Sequence, residues 1–308
     1  MSGERVLVVG AGAIGAFFGA QLAAGGRDVT FLVRPARQAV LDDGLSVEST
    51  TVPVRLARPH TVTAAELERA GPFDLILLAC KAPDLEAAVT DIEPVVRAGA
   101  VVLPLLNGMR QLDVLDERFG AEAVLGGSCF VSVHRAGGGT IRHDGNPARL
   151  TFGARGALRL PVETIEQILT SPGFTVRRAP DVVAEMWAKW VFIAAAAGAT
   201  GMVGGTVGEL VDAGGAWIGA RMLAEAAAIA AENGHPQQEA ALAGSRRTIT
   251  EPGSTLVPSL LADLRAGRRT EAEHILGDLV ARRRDSAPGL LDAALVRLRV
   301  HDAARPAP

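Results

Sequence analysis

The chain opens with a short apolar run, Val6–Val9, set between a polar start and the glycine turn Gly10–Gly15. An uninterrupted apolar run of that length predicts a strand buried on both faces, as in a parallel sheet. Ala16–Ala24 then shows helical spacing and stops at Gly25-Gly26, and Val29–Val33 predicts a second strand. Asp74–Cys80 and Ala100–Leu106 predict further buried strands, with a helix over Asp84–Val96 between them. Strand, helix and strand in alternation predict βαβ units. The pattern changes after Gly120. Cys129–His134, Thr140–His143, Arg149–Phe152 and Thr175–Arg178 are short strand-like runs separated by glycines, and they predict an antiparallel addition to the sheet. From about Asp181 helical spacing takes over, in Val182–Ala197, Ala216–Asn233, Gln238–Thr248, Ser259–Ala266 and Thr270–Arg284, with a Gly/Pro-rich loop at Thr250–Pro258. The expected organisation is α/β, with a doubly wound sheet domain over residues 1–180 and an all-helical domain over 181–308.

Composition narrows this picture. The 308 residues are 48% hydrophobic and 21% charged, with mean hydropathy +0.24. That is a globular balance with ample material for a core. A net charge of −3 gives no global attraction to nucleic acid or anionic lipid, and the run Arg282-Arg283-Arg284 reads as a solvated helix face. The apolar start is broken by glycines and offers no convincing cleavage site, which argues against a signal peptide. Val191–Gly208 is long enough to raise the question of a membrane span, but its Ala/Gly content predicts a buried core helix. Two cysteines, Cys80 and Cys129, fit a reducing cytoplasm better than a disulfide framework.

Gly10-Ala11-Gly12-Ala13-Ile14-Gly15 matches G-x-G-x-x-G directly after a strand and at the opening of a helix. In that context Gly10 permits the tight turn, Gly12 lets the backbone approach a pyrophosphate, and Gly15 lets helix pack on strand. The pattern predicts a Rossmann-type site for a dinucleotide. The end of the second strand, Phe31-Leu-Val-Arg34-Pro-Ala-Arg37, lacks the carboxylate that would accept from an NAD ribose. Arg34 is placed to meet a 2′-phosphate, with Arg37 as a second contact, so the expected cofactor is NADP(H).

The chemistry is narrowed by what is missing. The chain has no tyrosine, which removes the Tyr–Lys proton donor of short-chain dehydrogenases. Its six histidines show no metal-ligand spacing, and no G-x-S-x-G elbow is present, so neither a metal site nor a serine hydrolase is expected. Among 31 basic residues only Lys81 and Lys189 are lysines. Lysine can give up a proton more readily than arginine, so the two lysines are the candidates for acid catalysis. The segment Glu185-Met-Trp-Ala-Lys189-Trp, together with Lys81 after a buried strand, Asn107-Gly108, Gly208-Glu209-Leu210, Ser259-Leu-Leu-Ala-Asp263 and Arg268-Arg-Thr270-Glu271, resembles the ketopantoate reductase family in order and spacing.

The resemblance implies roles. Lys189 would be the general acid, with Glu271 hydrogen-bonded to the substrate and holding the lysine network. Asn107 and Ser259 would bind substrate, Asn107 also lying near the nicotinamide. Lys81 would contact the cofactor, and Ser132 would line its site. Positions where the family carries asparagines read Ile193, Ala197 and Val207, so the pocket is expected to be more apolar while proton transfer is retained. The expected substrate is a small 2-oxo acid, 2-dehydropantoate or a close analogue, with no nucleic-acid or membrane partner and a homodimer left open. Two rival readings stand: a β-hydroxyacid dehydrogenase, whose asparagine one turn after the lysine is absent here, and a non-catalytic NADPH-binding or sensing protein.

Overall fold

The computed structural model describes residues 4–145, 147–284 and 287–305. They form two compact units, one of residues 1–106 with 111–183 and one of 107–110 with 184–308.

The first unit is built on a five-stranded parallel sheet in the order β5-β2-β1-β6-β7. Its strands are β1 (Arg5–Val9), β2 (Asp28–Leu32), β5 (His60–Val62), β6 (Leu75–Leu78) and β7 (Val101–Pro104), with β3 (Leu45–Glu48) and β4 (Val54–Leu56) intervening in sequence. Val6, Leu7, Val8, Leu75, Ile76, Leu77 and Leu78 are fully buried, which is why these strands are apolar throughout rather than alternating. Each such side chain contributes about 1.5–3 kcal/mol by leaving water. Helices α1 (Ala13–Ala24), α2 (Pro35–Leu41), α3 (Leu85–Arg97) and α4 (Arg110–Phe119) make the crossovers and flanks.

The later strands correct one expectation. They do not extend the main sheet as an antiparallel addition but build two further sheets. One has the order β4-β3-β10-β9, with β9 at Val133–Gly137 and β10 at Thr140–His143; the other has the order β12-β11-β8, with β8 at Gly126–Phe130, β11 at Arg149–Gly153 and β12 at Thr175–Arg178. Both are mixed: β10 pairs β3 in parallel, and β11 pairs β12 in parallel. The second case has a local cause. Helix α5 (Val162–Leu169) links β11 to β12, and a helical crossover returns the chain in the same direction. The run expected as one strand over Cys129–His134 is split, with Val131 and Ser132 lying between β8 and β9.

The second unit is helical: α6 (Val182–Val203), α7 (Val207–Asp212), α8 (Ala216–Glu232), α9 (Glu239–Ile249), α10 (Ser259–Arg265), a π-helix at Glu273–Gly277, α11 (Asp278–Ala281) and α12 (Leu290–Ala303). α6 is long and apolar enough to cross a membrane, but 61% of its apolar window is buried in the protein. Its small residues serve packing. A side chain at Gly198 would meet Met222, and one at Gly201 would meet Leu260 and Leu298. The helix expected over Thr270–Arg284 starts later and is wound differently. Asp302 of α12 takes both the backbone N–H and the hydroxyl of Thr270, each at 2.8 Å, so Thr270 anchors the chain ahead of the helix.

Candidate active site

The glycine fingerprint has the shape its sequence requires. Gly10 turns at φ +90°, a conformation costly for other residues, and its N–H donates to the Leu32 carbonyl of β2 at 3.0 Å. A Cβ at Gly15 would lie 2.0 Å from the Gly10 carbonyl oxygen, whereas one at Gly12 would meet nothing within 4 Å. The loop is therefore tight on its inner side and open at Gly12, the N-cap of α1, which no side chain caps. Open N–H groups at a helix N-terminus suit a pyrophosphate. Ala11 is buried, and Ala13 and Ile14 are half-buried. The residues present fit a dinucleotide.

Arg34 and Lys81 follow β2 and β6, the two strands that flank β1, at the same carboxyl edge of the sheet as the fingerprint. Arg34 is exposed, and its guanidinium is paired with the carboxylate of Asp84. Arg37 is used differently. Its Nε donates to the Ala11 carbonyl at 3.0 Å and its Nη1 to that of Gly138 at 2.7 Å, so it braces the fingerprint loop. Burial first, and then the charge of Arg135, holds its pKa below the usual arginine value. Its Nη2 is buried without a protein partner. Ser132 lies in the break between β8 and β9, and its hydroxyl donates to Asp144.

The other predicted residues belong to the helical unit. Lys189, Ile193 and Ala197 follow at four-residue intervals on α6, hence on one face. Lys189 and Ile193 are half-buried and Ala197 is buried. The adjoining Trp190 is fully buried, and its indole N–H donates to the Ile275 carbonyl in the π-helix at 2.9 Å. Trp187 packs on Trp190 at 4.9 Å and stacks on His235. Glu271 lies half-buried just before the π-helix, and its carbonyl accepts from the N–H groups of His274 and Ile275. Asn107, though it follows β7 in sequence, is grouped with the helical unit.

Other motif residues have structural duties. Asp263 is buried and accepts from Arg268 Nε at 2.7 Å. Glu209 closes a capping box on Thr206 and pairs with Arg265 at 2.8 Å. Val207 is buried where α7 starts. Ser259 is exposed at the first position of α10. Among the described residues no cluster of His, Cys, Asp and Glu could hold a metal ion. Sequence reasoning missed His274, a buried imidazole in the π-helix, and Asp84, the partner of Arg34. Neither carries a local pattern that could have revealed it.

A parallel sheet with an open phosphate loop, followed by a helical unit carrying a lysine, defines a Rossmann-type oxidoreductase with a nicotinamide cofactor. The profile of the family Ketopantoate reductase PanE/ApbA matches residues 6–156, and that of its C-terminal domain matches residues 181–285. An uncharacterized oxidoreductase of Bacillus subtilis, YkpB, is 31% identical over 97% of this chain and 99% of its own. A 2-dehydropantoate 2-reductase of Halobacterium salinarum is 28% identical over 91% of this chain and 92% of its own. The structure of a D-mandelate dehydrogenase with NADH and anilino(oxo)acetate superposes with a TM-score of 0.86 at 20% identity, over 97% of this chain and 99% of that one. The chain belongs to the ketopantoate reductase family, and it is an oxidoreductase of the 2-dehydropantoate 2-reductase type acting on a CH–OH group.

Proposed function

We propose that this protein reduces a 2-oxo acid with NADPH, the substrate being 2-dehydropantoate or a close analogue, and that Lys189 is the general acid. The observation that carries the reading is the setting of Lys189. It sits on a helix whose rotation is pinned by its neighbour Trp190, bonded to the π-helix that begins two residues after Glu271.

When bound, the nicotinamide supplies a hydride to the carbonyl carbon. The chain has to manage the charge that then grows on oxygen. An ammonium group at Lys189 stabilises that charge and donates the proton, a contribution of about 10²–10⁴-fold in rate for positioned acid catalysis. Glu271 accepts a hydrogen bond from the substrate and keeps the lysine in place. Asn107 and Ser259 donate to the substrate, and Asn107 also faces the nicotinamide. Gly10, Ala11, Gly12, Ala13, Ile14 and Gly15 hold the pyrophosphate, Lys81 assists from the end of β6, and Arg34 receives the 2′-phosphate. Ser132 lines the cofactor site.

A second reading concerns the tail of the substrate. Ile193, one turn from Lys189, and the buried Ala197 and Val207 offer no hydrogen bonds. Each missing partner costs roughly 1 kcal/mol of recognition for a hydroxylated substrate. This favours a 2-oxo acid with a plain branched aliphatic tail. The test is steady-state kcat/KM for both substrate classes with NADPH. The apolar reading expects ketopantoate not to outperform the aliphatic acids. A strong ketopantoate preference returns the assignment to pantoate formation, and no turnover of any 2-oxo acid contradicts the proposal.

A further inference from the structure

The helical unit holds a buried titratable group that the reaction above does not use. His274 is 7% exposed, and its Nε2 has no hydrogen-bond partner. A buried polar atom left unpaired is uncommon and calls for a reason. The rest of the ring is engaged. It hydrogen-bonds with the backbone of Asn107, and with Nε2 unpartnered that contact falls to Nδ1. Gly108 closes over the same side chain. At φ +80° it sets its backbone so near that an added Cβ would lie 3.2 Å from the His274 carbonyl oxygen and 3.6 Å from Cδ2 and Nε2. Among the described residues of the first half of the chain, 107–110 alone are grouped with the helical unit, and Asn107 and Gly108 of that loop lie against His274.

His274 belongs to the π-helix Glu273–Gly277. Single π turns interrupt helices mostly at functional sites, because the extra residue re-aims side chains and frees carbonyls. Here the turn has three attachments. Trp190, next to Lys189, donates to Ile275. Glu271 accepts from the N–H groups of His274 and Ile275. Asn107 is bonded to the His274 ring.

We propose that His274 is a positioning residue of the active site: as a neutral imidazole it fixes Asn107 onto the same π turn that orients Lys189 and Glu271. This rests on the functional reading above for the roles of those three residues. Protonation would undo the arrangement, because a second N–H, on Nε2, would find no acceptor. Burial is the largest influence on the ring and pushes it below the ordinary histidine value. Glu271, the Asn107 backbone and Asp278 act in the opposite direction, and Arg110 of α4 reinforces burial. The neutral form therefore prevails at pH 7, and activity falls on the acid side, at a pH below the ordinary histidine range, as the ring is forced to charge.

The test compares His274→Asn, whose amide can keep a donor where Nδ1 stood, with His274→Leu, which fills the space without one. Nitrogen-15 NMR of the histidine ring in the unmutated protein reads its state without any substrate; the expected result is a neutral ring protonated on Nδ1 at pH 7. In His274→Leu the amide resonances of Asn107 and Gly108 should move, kcat should fall about tenfold or more, and NADPH affinity should stay within about twofold. His274→Asn should restore most of kcat at pH 7.5 and lose the inflection of the acid limb. A ring that is charged at pH 7, or protonated on Nε2, overturns the proposal. So does a His274→Leu protein with unmoved Asn107 and Gly108 resonances, or with native kcat and pH profile. If the unmutated protein reduces no 2-oxo acid, the functional reading has failed, and the ring state with the Asn107 resonances still decides whether His274 holds that loop.

Discussion

Two groups compete for the guanidinium of Arg34: the carboxylate of Asp84 and, on the proposed reading, a 2′-phosphate. The Arg34 side chain is 70% exposed and that of Asp84 37%, so the existing pair contributes only about 0–1 kcal/mol. A phosphate, which accepts from the guanidinium fork with more charge, should displace it. NADPH is therefore expected to bind at least about tenfold tighter than NADH. Arg34→Glu should reverse that order by removing the partner and adding a like charge. Asp84→Asn should tighten NADPH and leave NADH nearly unchanged, because only the phosphate competes with the carboxylate. Fluorescence titration of both nucleotides checks all three, and equal affinities in the unmutated protein would sink the claim. The contrast between Gly10–Gly15 and Arg34 shows what a sequence yields at this scale. The fingerprint is local, so strand, glycines and helix can be read together. The partner of Arg34 stands fifty residues away, and nothing near Asp84 announces it. His274 is likewise a polar residue in a helical stretch until Asn107 is seen against it.

At the scale of elements, the π-helix and α6 act as one fixture through Trp190. The indole is fully buried, so its N–H needs the Ile275 carbonyl. Trp190→Phe keeps most of the volume but removes a buried hydrogen bond, at a cost of about 0.5–1.5 kcal/mol. Thermal unfolding should show the loss. Turnover should fall as well, because Lys189 loses the constraint beside it, while NADPH affinity should not change. A stability loss with native kcat would mean that the tryptophan braces the fold and not the lysine. Elements with a strong local period were legible in the sequence. β1, β2, α8, α9 and α10 lie within a residue or two of their expected limits. The two additional sheets were not, because strand partners are chosen over long separations: β10 finds β3 nearly a hundred residues earlier. Nor was the π turn legible in Thr270–Arg284, since a turn of five residues is too short to leave a period of its own in the apolar spacing.

At the scale of the molecule, the proposed duties divide between the two units. The phosphate loop, Arg34, Lys81 and Ser132 belong to the sheet unit, while Asn107, Lys189, Ile193, Ala197, Ser259 and Glu271 belong to the helical one. The excursion of residues 107–110 fits this division: the loop proposed to meet substrate is grouped with the unit that carries the acid. Changes to the lysine should then alter chemistry and leave cofactor binding alone. Single-turnover hydride transfer in Lys189→Ala and Lys189→Arg, measured beside NADPH binding, tests this most directly. Lys189→Ala should slow the step by about 10²–10⁴-fold. Lys189→Arg should also be slow, because guanidinium keeps the charge but holds its proton too tightly to donate it. NADPH affinity should be native in both. Near-normal hydride transfer in Lys189→Arg would contradict the account, leaving Lys189 as a charge alone and the proton to come from another source.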